Sequence, residues 1–100
     1  MTTCFVTRNQ GALDWAQGQG INAVPLAHLD PAAIRAGDIV IGTLPVHLAA
    51  EICAKGAHYR HLTMDIPANA RGRELTADEM IRFDASLRPY QIKELRDDTT

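Results

Sequence analysis

The chain lacks any apolar run near the roughly 20 residues that a helix needs to cross a bilayer. Its opening, MTTCFVTRN, lacks the basic and apolar regions of a secretion signal. Neither a membrane partner nor export is therefore expected, and the expected location is the cytoplasm. Cysteine is scarce too: Cys4 and Cys53 lie far apart, with no CxxC and no paired histidines of the kind that close a zinc site. Both read as reduced, small apolar fillers. No charge of either sign is in excess. Lys and Arg total 10 against 12 Asp and Glu, so nothing drives bulk attraction to duplex nucleic acid or to an anionic membrane. Any anion site has to be local. Also missing are GxGxxG, GxxxxGK[ST] and GxSxG, which argues against the usual dinucleotide, P-loop and hydrolase sites. His28, His58 and His61 share no spacing suited to a metal, and no metal or other cofactor is expected.

What is present is an ordinary globular mix, with 46% apolar and 22% charged residues in a chain of 100. That length supports one core, expected over residues 1–95, with RDDTT at 96–100 as a fraying tail. CFVT reads as a buried strand ending in a polar turn. GALDWAQGQG then places Ala12, Trp15 and Ala16 at helical spacing, with Asn9 as N-cap and Gly18 or Gly20 as terminator. INAVPLA is a weaker strand, sent to an edge by Pro25. In HLDPAAIRAGD, Asp30 and Pro31 open a short helical turn that Gly37 stops.

DIVIG reads as a strand apolar on both faces. After it, Leu48, Ala49, Ile52 and Cys53 define one face of a helix, with His47, Glu51 and Lys55 on another. HYRHLTMDIP alternates, pointing Arg60, Leu62, Met64 and Ile66 one way and Tyr59, His61, Thr63 and Asp65 the other. TADEMIRFDASL opens on Thr76 and Glu79 at capping-box spacing, with Met80, Phe83 and Leu87 as its buried stripe. YQIKEL closes the pattern as a rim strand. The order implies an α/β, Rossmann-like three-layer fold with a mainly parallel five-stranded sheet. With the first strand flanked by the second and third, the strand order reverses between strands one and three, where ligands of such sheets bind. The loops meeting there are TRNQG, with Thr7, Arg8, Asn9 and Gly11, and GTLPVH, with Gly42, Thr43, Leu44, Pro45 and His47.

In GTLPVH, Gly42 permits a tight turn, Thr43 or Leu44 is the half-in residue, and Pro45 takes the first helical position, where no N–H is missed. The free N–H groups and the positive end of that helix favour an anion, phosphate above all. The same sequence also suits a plain strand-to-helix turn. Arg8 either grips phosphate with its planar fork or pairs with Asp14 or a neighbouring carboxylate. His47 either relays a proton or sits opposite Glu51 on a solvated face. Arg71 and Arg73 either close over the site or remain solvated. Trp15 either stacks on a base or, as its register favours, packs in the core.

FVTRN followed by GALDW, then IGTLPVHLAAEICAKGAHYRHLTMDIPANARGREL, resembles a family of small CRISPR-associated proteins of type III systems, related to the CRISPR-associated Rossmann-fold sensors. The likeness runs from about Phe5 to Leu75, and Gly42 to Leu75 is its more specific part. It implies a ring nuclease: a homodimer that binds cyclic tetra-adenylate and cuts it, without metal, by attack of a ribose 2′-hydroxyl on its neighbouring phosphate. Under that resemblance Arg8, His47, Arg71 and Arg73 are the catalytic candidates. Thr7, Arg8, Asn9, Gly11, Gly42, Thr43, Leu44, Pro45 and Asp65 are the ligand-facing ones. Two rival expectations are a module of the same fold that sequesters the cyclic nucleotide uncut, and a protein-interaction subunit that docks through the polar face of HLTMD.

Overall fold

The computed structural model describes residues 1–95; the expected tail RDDTT lies outside them. The elements run β1 (Thr3–Val6), α1 (Gln10–Gly18), β2 (Val24–Leu26), a 3-10 turn (Pro31–Ala33), β3 (Ile39–Gly42), α2 (Val46–Ala54), β4 (His58–Thr63), a second 3-10 turn (Ala68–Ala70), α3 (Ala77–Arg82) and β5 (Ser86–Tyr90). They form one α/β unit on a five-stranded sheet of order β2-β1-β3-β4-β5. The first four strands are mutually parallel, and β5 joins β4 antiparallel. As the order of elements implies, the strand order reverses between β1 and β3.

Local chemistry accounts for the elements. Asn9 caps α1, its side chain accepting from the Gly11 N–H at 2.8 Å. Pro25, with no N–H to give a second neighbour, sits in the edge strand β2, and Asp30 caps the turn that starts at Pro31. Thr76 and Glu79 complete the capping box of α3.

Successive strand residues point to opposite faces, and each face buries its own cluster. Phe5, Ile41 and Leu62 pack with Ala12, Trp15 and Ala16 of α1 and Met80 of α3. Cys4, Val40 and Tyr59 pack with Ala49 and Ile52 of α2 and with Ile34. Phe5, Val40, Ile41, Ile52 and Met80 are the largest fully buried side chains, each stabilising the fold by about 1.5–3 kcal/mol. Trp15, 5% exposed, is a core residue. Both cysteines are free thiols, Cys4 buried and Cys53 half-buried.

Two expectations are corrected. The last helix stops at Arg82, and Asp84 takes a positive φ of 56°, so Leu87 belongs to β5, where it pairs with Leu62. The final strand is therefore Ser86–Tyr90; Gln91–Leu95 is not a strand. On the Tyr59 face of β4, α2 covers Tyr59, buried to 3% exposure, while His61 and Thr63 line a cavity.

Candidate functional site

The segment Gly42–Pro45 joins β3 to α2 beside the end of β1. Gly42 pairs with Val6, and a Cβ on residue 42 would stand 2.9 Å from the Val6 carbonyl oxygen. Only glycine lets the two strand ends approach so closely. Pro45 is the N-cap of α2, with ψ 142°, and no side chain caps this helix. The helix thus starts one residue later than expected, since the extended ψ keeps Pro45 outside the first turn. The Pro45 carbonyl accepts from Leu48 and Ala49. The N–H groups of Val46 and His47 have no partner among the described residues, the condition in which a helix start attracts an anion. Thr43 is exposed beside them.

Tyr59, from β4, fixes this segment. Its hydroxyl accepts from the Leu44 N–H at 2.9 Å, lies 3.1 Å from the Gly42 carbonyl oxygen, and stands 2.6 Å from Nδ1 of His61. A phenol has one proton to give and two lone pairs. Leu44 N–H can only donate and the Gly42 carbonyl can only accept, so all three contacts are satisfied when Tyr59 donates to Gly42 and His61 donates from Nδ1. This hydrogen-bond assignment leaves Nε2 of neutral His61 with an open lone pair. Burial pushes the Tyr59 phenol above its ordinary range, partly offset by the Leu44 N–H. His61 and Tyr59 line a cavity of about 360 Å³ with Leu44, Val46, Thr63 and Tyr90. His61 lies on the polar face of HLTMD, which the resemblance places at the pocket or the dimer contact; Tyr59 is not among the expected site residues. The alternation in HYRHLT put both on one face, but nothing in the pattern says that α2 starts against that face.

The first loop is more self-contained. Thr7 Oγ1 accepts from the Asn9 N–H at 3.1 Å, and Glu74 accepts from the Gln10 N–H at 3.2 Å. With Asn9 bound to Gly11, the first N–H groups of α1 are taken up within the fold. Arg8 is exposed and does not meet Asp14, which instead accepts from Gln10. One guanidinium nitrogen of Arg8 lies 3.2 Å from Nδ1 and 3.0 Å from Nε2 of His28. This one nitrogen is thus within hydrogen-bond distance of both ring nitrogens, so Arg8 meets an imidazole and not a carboxylate.

The remaining candidates are spread out. Arg73 makes a two-pronged pair with Glu79, at 2.5 and 3.0 Å, and this pair holds the Glu79 carboxyl down at about 2. Arg71 and Asp65 are exposed. His47 is exposed and lines a different groove, with Glu51, Lys55 and Gln91–Glu94. The structure thus joins Gly42, Thr43, Leu44 and Pro45 to Tyr59 and His61, and leaves Arg73 engaged elsewhere.

Residues 4–93 match the family described as "Putative CRISPR-associated protein (Cas_VVA1548)". The chain belongs to this family. It is therefore CRISPR-associated, as the resemblance of FVTRN and GTLPVH implies. No curated protein and no solved structure matches it. Among the described residues, no helix is long and apolar enough to cross a membrane.

Proposed function

We infer that this CRISPR-associated chain is a ring nuclease of type III systems. On this reading a homodimer of Rossmann-like three-layer subunits binds cyclic tetra-adenylate and cleaves it without metal. The observation that carries the reading is the start of α2. Two unpaired N–H groups, on Val46 and His47, and an exposed Thr43 hydroxyl lie beside the β1/β3 reversal of the sheet. That is where a phosphate would be held at a helix N-terminus.

In the proposed reaction the ribose 2′-oxygen attacks its own phosphorus in line, giving a 2′,3′-cyclic phosphate and a free 5′-hydroxyl. The nucleophile belongs to the ligand, so the protein contributes alignment and charge. Alignment in favourable intramolecular reactions is worth up to ~7–11 kcal/mol. Growing negative charge on the phosphoryl oxygens is met by the helix start, the Thr43 hydroxyl and Arg8. The His47 side chain, expected from the sequence as the proton relay, lines a different groove, and Arg71 and Arg73 are the proposed clamp, Arg73 having to leave Glu79 to serve. A two-fold dimer presents the same patch twice to a cyclic ligand.

The test is incubation of purified protein with cyclic nucleotides of several ring sizes in EDTA, with products separated by chromatography. Linear products ending in cyclic phosphate are expected from the four-membered ring. Unchanged ligand that still raises the melting temperature means that the protein only sequesters it. No melting shift, with one co-purifying partner, means a protein-interaction subunit.

A further inference from the structure

We propose that His61 is the proton-accepting group of this site, held by Tyr59 as the Nδ1–H tautomer with Nε2 facing the cavity, and that Arg88 beside it is the anion-holding cation. The substrate named below rests on the function proposed above; the geometry does not.

Three observations converge. The Tyr59 hydroxyl satisfies all its contacts only when His61 donates from Nδ1, so Nε2 is the free nitrogen. Nε2 has no hydrogen-bond partner among the described residues, and the ring lines the cavity beside Leu44 and Val46, next to the start of α2. Finally, His61 pairs with Arg88 across the β4–β5 ladder. Residues directly opposite in an antiparallel pair share a face with Cβ atoms about 4.5–5.5 Å apart. A base thus lines the cavity next to the start of α2, and an exposed cation, Arg88, stands on the same sheet face at the neighbouring register position. A phosphodiester with an adjacent hydroxyl needs this set: one group to take a proton and donors for the developing charge.

The chemistry balances without a further reactant. Nε2 takes the 2′-hydroxyl proton as the O2′–P bond forms and the P–O5′ bond breaks. The leaving 5′-oxygen takes a proton from water, and the imidazolium returns its own to solvent. His61 touches the reacting hydroxyl in this scheme, whereas Tyr59 acts through His61 and is a positioning residue. The titratable or charged groups on this face are Tyr59, Arg88 and Tyr90, with the Cys53 thiol contributed by α2 near Tyr90. The other cavity residues from α2 and its loop, Leu44, Val46 and Ala49, are apolar.

Two measurements on the full chain test the proposal. Nitrogen-15 NMR of the histidine rings, on the ligand-free protein, reads the tautomer directly. A protonated Nδ1 on His61, partly lost in Tyr59→Phe, is expected; a ring protonated only at Nε2 overturns the proposal whatever the substrate. In single-turnover cleavage of cyclic tetra-adenylate, His61→Asn keeps a donor for Tyr59 but has no Nε2. It should slow cleavage by ~100-fold or more, within the usual range for a general base, while the ligand-induced melting shift persists. Arg88→Ala should weaken that shift, and Tyr59→Phe, which loses the ordered Nδ1–H tautomer, should slow cleavage while the shift persists. Wild-type cleavage by His61→Asn, or a loss confined to His47→Ala, overturns the assignment. Should the wild-type protein cut nothing, the ring nuclease reading fails, and the NMR tautomer still decides this one.

Discussion

The Leu75 carbonyl oxygen occupies the place a side chain on Gly11 would need: a Cβ built on Gly11 falls 1.8 Å from it. That contact seats the loop preceding α3 across the first turn of α1, alongside the bond from Gln10 N–H to Glu74. Alanine usually stabilises a helix relative to glycine. Here Gly11→Ala must push the loop away and should destabilise by about 1–3 kcal/mol, in the range of overpacked cores. Gly18→Ala, in the last position of the same helix with no atom within 4 Å of its Cβ, should instead stabilise by about 0.4–1 kcal/mol. Thermal melts of the two variants, moving in opposite directions, check the contact.

Tyr59→Phe keeps the ring in the core and deletes only the oxygen. The half-buried Leu44 N–H then loses its acceptor, and an unsatisfied buried donor costs about 1–3 kcal/mol. The urea midpoint should fall with the slope of the transition unchanged. A wild-type midpoint would mean that water replaces the phenol and that the loop before α2 is not held by it.

The Arg73–Glu79 pair sets an acid limb of stability. The Arg73 guanidinium, and after it the Thr76 N–H, hold the Glu79 carboxyl at about 2, below its ordinary 4.5. The folded value is depressed, so the stability it contributes is complete above pH 4.5 and is lost as pH falls through about 2. Arg73→Ala should move the carboxyl back toward 4.5 and flatten stability across that window. An NMR titration of the Glu79 carboxyl, with denaturant midpoints over the same range, reads both effects.

The central sheet was legible because its chemistry is local. Strand, cap and glycine signals around Asn9, Asp30, Gly37 and Thr76 sit within a few residues of what they control. The C-terminal quarter was not. Leu87 fits a helical stripe with Met80 and Phe83 as well as it fits a strand, and only its pairing with Leu62 decides. The candidate site divides the same way. Gly42 and Pro45 announce a strand-to-helix turn, whereas Tyr59 and His61 matter through hydrogen bonds to residues 15 and 2 positions away. Arg8 stood next to the right loop in sequence, yet its partner, His28, lies 20 residues off.

Arg8 supplies the last prediction. Its guanidinium lies within hydrogen-bond distance of the His28 ring nitrogens at the carboxyl end of β1 and β2, exposed and without a carboxylate partner among the described residues. It is therefore not neutralised in place, unlike Arg73. If the site takes a phosphodiester, removing this cation deletes a charge-assisted hydrogen bond worth about 1.5–3 kcal/mol, which is roughly ten- to a hundredfold in affinity. Arg8→Ala should weaken cyclic tetra-adenylate binding by that factor and make the remaining affinity less sensitive to salt, because one cation fewer faces the ligand. Arg8→Lys keeps the charge but loses the flat fork that can grip phosphate with two N–H groups, so it should recover the salt dependence and only part of the affinity. Equal affinities for all three proteins would make the Arg8–His28 contact a surface feature and move the anion site wholly to the start of α2.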